Sequence, residues 1–404
     1  MNIKILCDDT RFRDEFECEH GLSILVTTNK HCVLFDVGQS DVFYKNALKL
    51  GVDLSKVDVV VLSHGHYDHC NGLERFFELN SSSDIYIHEN AFEEFMHGEN
   101  HIGISNSLKN AKNRFRLLSQ TIELDDELSI YPASLLPQSQ SCGLMIRKNG
   151  ELVEDSFEHE IYLVCREGNN SAMLTGCAHR GIENIARFAN SIGVSHLIGG
   201  FHMTSDLSRD EIRSRTHALS SLPIQYYTGH CTSETSFETM QTICSNIFHK
   251  LGAGNQFAIG NHGEIACALF RQGYNCSQSV FGAFANELNL DTDFAMRIAC
   301  SFGGGMGRLR EVCGAVSGML LVCGMMNGYV TPETGDVKAK HYQAVQKLCH
   351  EFRNEAGSLI CRNLLGGRIS DLPTPTERTP EFYTKRPCER LIYLAATIVE
   401  KTFF

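Results

Sequence analysis

Residues 57–72, Val-Asp-Val-Val-Val-Leu-Ser-His-Gly-His-Tyr-Asp-His-Cys-Asn-Gly, join an apolar run to three histidines and one aspartate. The run 57–62 has the composition of a buried strand. A strand that ends in such a cluster gathers its side chains at the C-terminal edge of a sheet. Neutral imidazole and carboxylate are ligands that zinc and iron prefer. His64, His66, Asp68 and His69 are therefore expected to bind metal. One short loop cannot wrap an ion, so further ligands must come from elsewhere in the chain.

A chain of 404 residues is too long for one ordinary core, and two domains are expected. Its 43% apolar and 21% charged residues are those of a globular protein. No basic stretch followed by an apolar one opens the chain, which predicts a cytoplasmic protein without a signal peptide. Residues 312–332 carry no charge but are rich in glycine, so they read as a buried core helix rather than a membrane span. The 17 cysteines are odd in number and fit reduced thiols. The net charge of −12 is uneven. From residue 261 onward there are 15 Lys+Arg and 14 Asp+Glu; subtraction from 36 and 48 leaves 21 and 34, a net of −13, in the first 260 residues. That balance argues against a nucleic-acid partner, which needs clustered Lys and Arg, and leaves a small-molecule substrate.

Strand-like runs lie at 2–6, 22–27, 32–37, 57–62, 84–87, 161–165, 171–175, 194–199, 224–228 and 256–259. Helical patterns lie at 41–50, 72–79, 90–96, 182–191, 208–219 and 234–250. The alternation predicts an α/β domain over 1–260, with sheets inside and helices outside. After 260 the strand signals vanish. Helices are expected at 263–272, 276–289, 292–301, 311–326, 337–356 and 385–402, with a proline-rich surface loop over 371–387. Residues 261–404 read as a small all-α domain.

The His-x-His-x-Asp-His pattern of residues 64–69 resembles the signature of the metallo-β-lactamase superfamily of metal-dependent hydrolases. Val33-Leu34-Phe35-Asp36-Val37-Gly38 resembles that superfamily's first motif, a strand ending in an aspartate that supports the metal loop. Leu174-Thr175-Gly176-Cys177-Ala178-His179, Ile198-Gly199-Gly200-Phe201-His202 and Thr228-Gly229-His230-Cys231-Thr232 each follow an apolar stretch. The Gly-Cys-Ala-His and His-Cys-Thr forms are similar to one branch, the dihydropterin ribofuranosyl-aminobenzene phosphate synthases. The resemblance implies an αββα sandwich over roughly 1–260. It implies His179 as third ligand of a first ion with His64 and His66, and His230 as ligand of a second ion with Asp68 and His69. His202 is expected to ligate or to touch substrate, and Asp36 to brace the loop. Many dinuclear members carry a bridging aspartate after the Thr-Gly pair. Here Cys177 stands there, either a thiolate ligand or a residue behind the ligands. His20, His97 and His249 lack such context and read as structural or solvated.

The implied reaction is hydrolysis by one or two divalent ions, zinc first, with iron or manganese as alternatives. Water on zinc ionises near pH ~7 and the hydroxide attacks a carbonyl or phosphoryl centre. Asp68 would ligate and orient the nucleophile, and a phosphate-ester or pterin-related substrate follows from the resemblance alone. An iron-dependent redox enzyme handling oxygen or sulfur species is the alternative. The flavodiiron type of the superfamily has Glu at the position of His66, so this histidine favours hydrolysis.

In the second part, Gly-Tyr-Asn-Cys-Ser-Gln (273–278), Phe-Gly-Gly-Gly-Met-Gly (302–307), Cys-Gly-Ala-Val-Ser-Gly (313–318), Cys361 and Cys388 resemble a family described as redox-active and named for its Cys…Gly-Cys-Ala-x-x-Gly…Cys…Cys pattern. Here Gly314 follows Cys313 and Val312 precedes it, so the central motif is offset from the name. Cys276, Cys313, Cys361 and Cys388 would hold a metal or iron–sulfur cluster, or cycle between dithiol and disulfide with a redox partner. Cys267 and Cys349 read as packed hydrophobes. The triple glycine follows no strand. It is expected to allow close backbone packing rather than dinucleotide binding.

Overall fold

The computed structural model describes residues 1–138, 143–148, 150–168, 170–288, 290–332, 335–366 and 372–403. Asn289 and Asp371, which bound an expected helix and an expected loop, and Cys142 lie outside them. The chain forms two compact units, Met1–Ile259 and Gly260–Phe404.

The first unit holds two seven-stranded sheets. In the first sheet the strands run in the order Gln256–Ala258, Asn2–Cys7, Ser23–Thr27, Cys32–Phe35, Val59–Val61, Asp84–His88, Phe115–Leu118. The last four are parallel. In the second the order is Phe248–Lys250, Gln225–Thr228, His196–Gly199, Asn170–Thr175, Ile161–Glu167, Leu128–Pro132, Ile122–Glu123, and the first four are parallel. Side chains alternate between the two faces of a strand. Ile24, Val26, Val33, Phe35, Val59 and Val61 accordingly meet Leu128, Ile130, Leu163, Leu174 and Ile198 of the other sheet in one core. Their neighbours Leu25, Leu34 and Val60 point outward onto Phe43, Ala47, Leu73 and Phe76. On the far side Tyr162, Val164, Met173 and Leu197 pack against Ile182, Ile185, Ile212 and Leu219. Layers therefore run helix, sheet, sheet, helix, as the resemblance implies.

Three helical expectations fail in whole or in part; one of them, 276–289, is helical only over Cys276–Gly282 and continues as turns through Leu288. Residues 90–96 form a 3-10 turn at Glu89–Phe92 and then a strand, Glu94–His97. That strand joins a four-stranded sheet with Asn100–His101, Met145–Lys148 and Glu151–Glu154, which the sequence reading missed. The helix from Glu234 stops at Ile243, because Phe248–Lys250 returns as an edge strand parallel to Gln225–Thr228. Burial of Phe248 against the sheet outweighs local helix propensity there.

The second unit is helical. Its core joins Phe270, Phe281, Phe284, Val316, Met319, Leu391, Ile392 and Val399. The uncharged stretch forms Gly314–Asn327, packed through Val316, Met319 and Val322, and no described helix is long and apolar enough to cross a membrane. A Cβ on Gly318 would lie 2.8 Å from the Ser277 carbonyl oxygen, so glycine lets this helix lie close to Cys276–Gly282. The expected loop 371–387 contains a short helix, Pro380–Lys385, capped by the Thr379 side chain.

His262 ties this unit together. It lies flat on Phe284, with ring centroids 4.0 Å apart, and its two nitrogens face Glu400 at 2.8 Å and Glu287 at 3.1 Å. Burial alone would lower its pKa, but the two carboxylates outweigh burial and raise it. A raised pKa gives stability that is complete below the unfolded value of about 6.5 and fades as pH climbs through the folded value. The loss of thermal midpoint caused by His262→Gln should therefore be larger near pH ~6 than near pH ~9. An equal loss at both pH values in thermal melts would refute the role of charge.

Candidate metal centre

The shared direction of the parallel strands brings the histidine-bearing segments to one rim. In the first sheet Cys32–Phe35 leads to Asp36, and Val59–Val61 leads to Ser63 and His64. In the second, Asn170–Thr175, His196–Gly199 and Gln225–Thr228 lead to Cys177 and His179, to His202, and to His230. The two rims touch at Gly176, where a Cβ would lie 2.1 Å from Ser63 Oγ and 3.0 Å from His64 Nδ1. Any larger residue would push the loops apart.

Four groups of donor atoms result among the described residues, of which Asp9, His20 and His230, and His66, Asp155 and His159, are two, and the other two gather the expected ligands. His64, His66 and His179 form one, and Asp68, His69, Cys177 and His230 the other; within each, the donors lie within 4.8 Å of one another and every residue is buried. In the first group His64 Nε2 is 3.0 Å from His66 Nδ1, and the His179 ring lies 5.0 Å and 5.2 Å from those two rings. In the second, Cys177 Sγ is 3.2 Å from His69 Nε2 and 3.3 Å from His230 Nε2, and Asp68 Oδ2 is 3.4 Å and 3.5 Å from the same nitrogens. The groups adjoin, since the His64 and His69 rings are 4.2 Å apart.

Other side chains set the orientation of these donors. Asp36 Oδ2 binds His69 Nδ1 at 2.7 Å and accepts from Ser63 Oγ at 2.7 Å, while Oδ1 accepts from the Ser63 N–H. Asp9 does the same for His230: its Oδ1 is 2.7 Å from His230 Nδ1, and its Oδ2 accepts from the Cys231 N–H. Asp8 Oδ2 accepts from the His230 N–H. Glu160 accepts from the N–H groups of His179 and Arg180. The Gly65 N–H donates to His159 Nδ1, so the His159 proton sits on Nε2, facing Asp155 at 3.0 Å. A ligand imidazole braced through its other nitrogen keeps one tautomer and one ring angle.

Electrostatics divide the two groups. Burial, with the neighbouring rings, drives His64 and His179 well below the usual histidine range and His66 down to about 3. Three neutral imidazoles result, the form that ligates. In the second group burial is outweighed at Asp68 and His69. Asp68 is held well below the carboxylate range by His69 and His230, and His69 rises to about 9 beside Asp68 and Asp36. Burial pushes Cys177 up, while the hydrogen bond from Cys177 and the His230 imidazole hold Cys231 down. Burial, with the neighbouring Asp9 charge, lifts Asp8 to about 7.

The residues present fit divalent ions. His66 Nε2 is buried without a hydrogen-bond partner, a costly state for an imidazole nitrogen unless an ion takes it. Three nitrogens in one group, and two nitrogens, an oxygen and a sulfur in the other, form donor sets of the zinc and iron type.

Several placements differ from expectation. Cys177, expected either as a thiolate ligand or behind the ligands, has its Sγ within the second donor group. His20, read as structural or solvated, reaches Asp68 Oδ2 at 3.4 Å and Asp9 Oδ1 at 3.2 Å. His202 lies 4.6 Å from the His179 ring, half-buried at the rim and outside both donor groups. Asp8, Asp9, Asp155, His159 and Cys231 were missed. The adjacent aspartates at the end of the first strand were the available signal for Asp8 and Asp9; for Asp155 and His159 the sequence carries none. His249 binds Gln225, remote from the donor groups.

In the second unit Cys276, Cys313, Cys361 and Cys388 line one cavity. Cys276 and Cys388 neighbour each other in it and interact electrostatically. Among the described residues no three of the four sulfurs are close enough together to hold a single ion as they stand. Gly314 and Gly305 make room: a Cβ there would lie 3.1 Å from Cys276 Cβ and 2.7 Å from Cys361 Cβ. Cys267 and Cys349 belong to the packed core.

Comparison with known proteins accounts for both units. Residues 17–208 match the model of the metallo-beta-lactamase superfamily, and residues 274–402 match the family described as "Putative redox-active protein (C_GCAxxG_C_C)". The crystal structure of Tm1679, a metal-dependent hydrolase of the beta-lactamase superfamily, is 31% identical, with a TM-score of 0.56, covering 64% of this chain and 98% of that one. Two proteins of Methanocaldococcus jannaschii are similar over the same part. One is the uncharacterized protein MJ0448, 27% identical over 65% of this chain and 98% of its own length. The other is 7,8-dihydropterin-6-methyl-4-(beta-D-ribofuranosyl)-aminobenzene-5'-phosphate synthase, 28% identical over 63% of this chain and 95% of its own. With its sandwich of two sheets, its rim of histidines and a solved relative above 30% identity, the chain is an enzyme of the metallo-β-lactamase superfamily of metal-dependent hydrolases, extended by a domain of the C_GCAxxG_C_C family.

Proposed function

We propose that residues 1–260 hydrolyse a phosphate ester or a related small molecule with one or two divalent ions, zinc first, and that residues 261–404 form a thiol-based redox appendage. The observation that carries the hydrolytic reading is the pair of adjoining buried donor groups, with His66 Nε2 left over among apolar and aromatic neighbours. His64, His66 and His179, and Asp68, His69, Cys177 and His230, would hold the ions, whose Lewis acidity would make water a nucleophile at neutral pH and offset developing negative charge. Asp68 orients that water through its carboxylate. Asp36 and Asp9 keep His69 and His230 turned inward. His202, at the rim beside His179, is placed to hold a proton for the leaving group. The name of the M. jannaschii synthase, whose product is a 5'-phosphate, supports a phosphate-bearing substrate. The acidic balance of the first 260 residues supports a small molecule over nucleic acid.

Cys177 among the donors favours a second reading, iron chemistry with oxygen or sulfur species. Metal analysis of protein purified without added metal separates the two. Two zinc or manganese ions per chain, with turnover of a phosphodiester, support hydrolysis; a single iron with no hydrolytic turnover overturns it.

Replacing His66 and Asp68 together by alanine should remove one donor from each group, abolish metal uptake by the first unit and lower turnover by at least ~10²-fold. Unchanged metal stoichiometry, measured by mass spectrometry, would sink the assignment. A chain of residues 1–260 alone should fold and keep the hydrolytic activity of the full protein toward phosphodiesters, phosphomonoesters or lactones. A soluble but inactive fragment, beside an active full chain, would show that the second domain is needed for turnover.

A further inference from the structure

The cysteine cavity of the second unit has a volume of about 240 Å³. That is just under the ~300–1,000 Å³ typical of pockets for small organic ligands. Its walls combine thiols with arginines. Arg308, Arg310, Arg378 and Arg386 line it with the four cysteines. Arg308, Arg378 and Arg386 are held in place by neutral groups. Arg378 donates to the carbonyl oxygens of Phe270 and Tyr274 and lies 4.6 Å over the Phe270 ring. Arg386 lies 4.6 Å over the Phe382 ring, and Arg308 donates to the Leu372 carbonyl oxygen and to Thr376 Oγ1. Among the described residues no carboxylate is in ion-pair distance of Arg308, Arg378 or Arg386. Clustered guanidinium groups around one cavity repel each other unless an anion enters.

The backbone is bent to put them there. Met306, Arg308 and Arg310 all have left-handed φ, at 60°, 76° and 63°. Cys361 is fixed beside this loop by its N–H to the Glu311 carbonyl oxygen, and Cys313 by its N–H to the Leu359 carbonyl oxygen. Cys388 shares the cavity lining with Cys276, Arg386, Arg310 and Arg378, and the neighbouring Cys276 thiol, with those arginines, holds it below the usual thiol range. A lowered thiol pKa favours the nucleophilic thiolate.

We propose that this cavity binds a small organic disulfide bearing carboxylate groups, and that the Cys276–Cys388 pair reduces it. The Cys388 thiolate attacks one sulfur of the ligand. The ligand's S–S bond breaks, the first thiol leaves with a proton taken from Cys276, and a mixed disulfide forms on Cys388. The Cys276 thiolate then attacks Cys388 Sγ and releases the second thiol, which takes its proton from water. One ligand disulfide gains two electrons and becomes two thiols, and the protein dithiol becomes one disulfide. The arginines bind the carboxylates, a recognition that guanidinium geometry suits.

This rests on the thiol-redox reading of the second unit, and the test keeps the two apart. Reduced full-length protein is mixed with a dianionic disulfide, 5,5'-dithiobis(2-nitrobenzoate), or a neutral one, 4,4'-dithiodipyridine. Stopped-flow absorbance gives the rates, and peptide mapping identifies the cysteine. The fast reaction should map to Cys388 and vanish in Cys388→Ser. After scaling each rate to that of free cysteine, the anionic probe should be favoured by about tenfold or more. Added salt should shrink that preference in the unaltered protein, which needs no variant to fold. Arg378→Gln with Arg386→Gln should abolish the preference, and Arg386→Lys in place of the glutamine should restore part of it. Equal scaled rates, or a preference indifferent to salt and to the arginines, overturn anion binding while leaving a reactive dithiol. A chain that purifies with iron and sulfide on these cysteines, and with no fast thiol, overturns both.

Discussion

The histidine rim depends on one buried carboxylate. Asp36 is fully shielded from solvent, has a left-handed φ of 55°, and spends its oxygens on the Ser63 N–H, the Ser63 hydroxyl and His69 Nδ1. Taking a carboxylate out of water is costly unless every lone pair is used. Here the cost is offset by the loop that the carboxylate organises. Ser63 in turn lies 2.8 Å from His64 Nδ1, so a single aspartate indexes a ligand in each donor group. Asp9, which follows Asn2–Cys7 of the same sheet, reaches across to fix His230 of the opposite sheet. Both braces thus come from the first sheet, and the two donor groups meet because both sheets end their parallel strands on one side.

Much of this was legible in the residues. The apolar run over 57–62 and the polar cluster after it placed a strand and a metal loop, because apolar composition and ligand type are local properties. His179 and His230 were readable through motifs that follow apolar runs. Asp155 and His159 were not, since their relation to Gly65 and His66 depends on a chain reversal with no sequence signature. The small sheet over 94–154 escaped for a related reason. Its strand Glu151–Glu154 is exposed at every position and its partners are short, so no hydrophobic period marks them. In the second unit the helices were legible from their apolar spacing. The assembly of four cysteines around one cavity was expected from the resemblance, whereas the ring of arginines was not. Arg378 and Arg386 lie in a proline-rich segment that reads as surface loop.

The chain also shows why a superfamily core tolerates different chemistries. The strands and helices fix where the rim lies, and the loop residues fix what it binds. Cys177 in the donor group alters the softness of the site without changing any element of the sandwich, because the backbone at Gly176 is set by its contact with Ser63. Specificity in such a protein is written in a few positions that the fold presents but does not dictate.

Among the described residues only eight non-glycine positions have left-handed φ: Asp36, Phe157, Ala178, His202, Cys231, Met306, Arg308 and Arg310. Each such residue carries strain of about 1–3 kcal/mol. The first five surround the histidine rim, with Phe157 stacked on His179 at 4.3 Å, and the last three form the arginine loop of the cysteine cavity. A bare backbone trace of this molecule, stripped of every side chain, would still mark both centres.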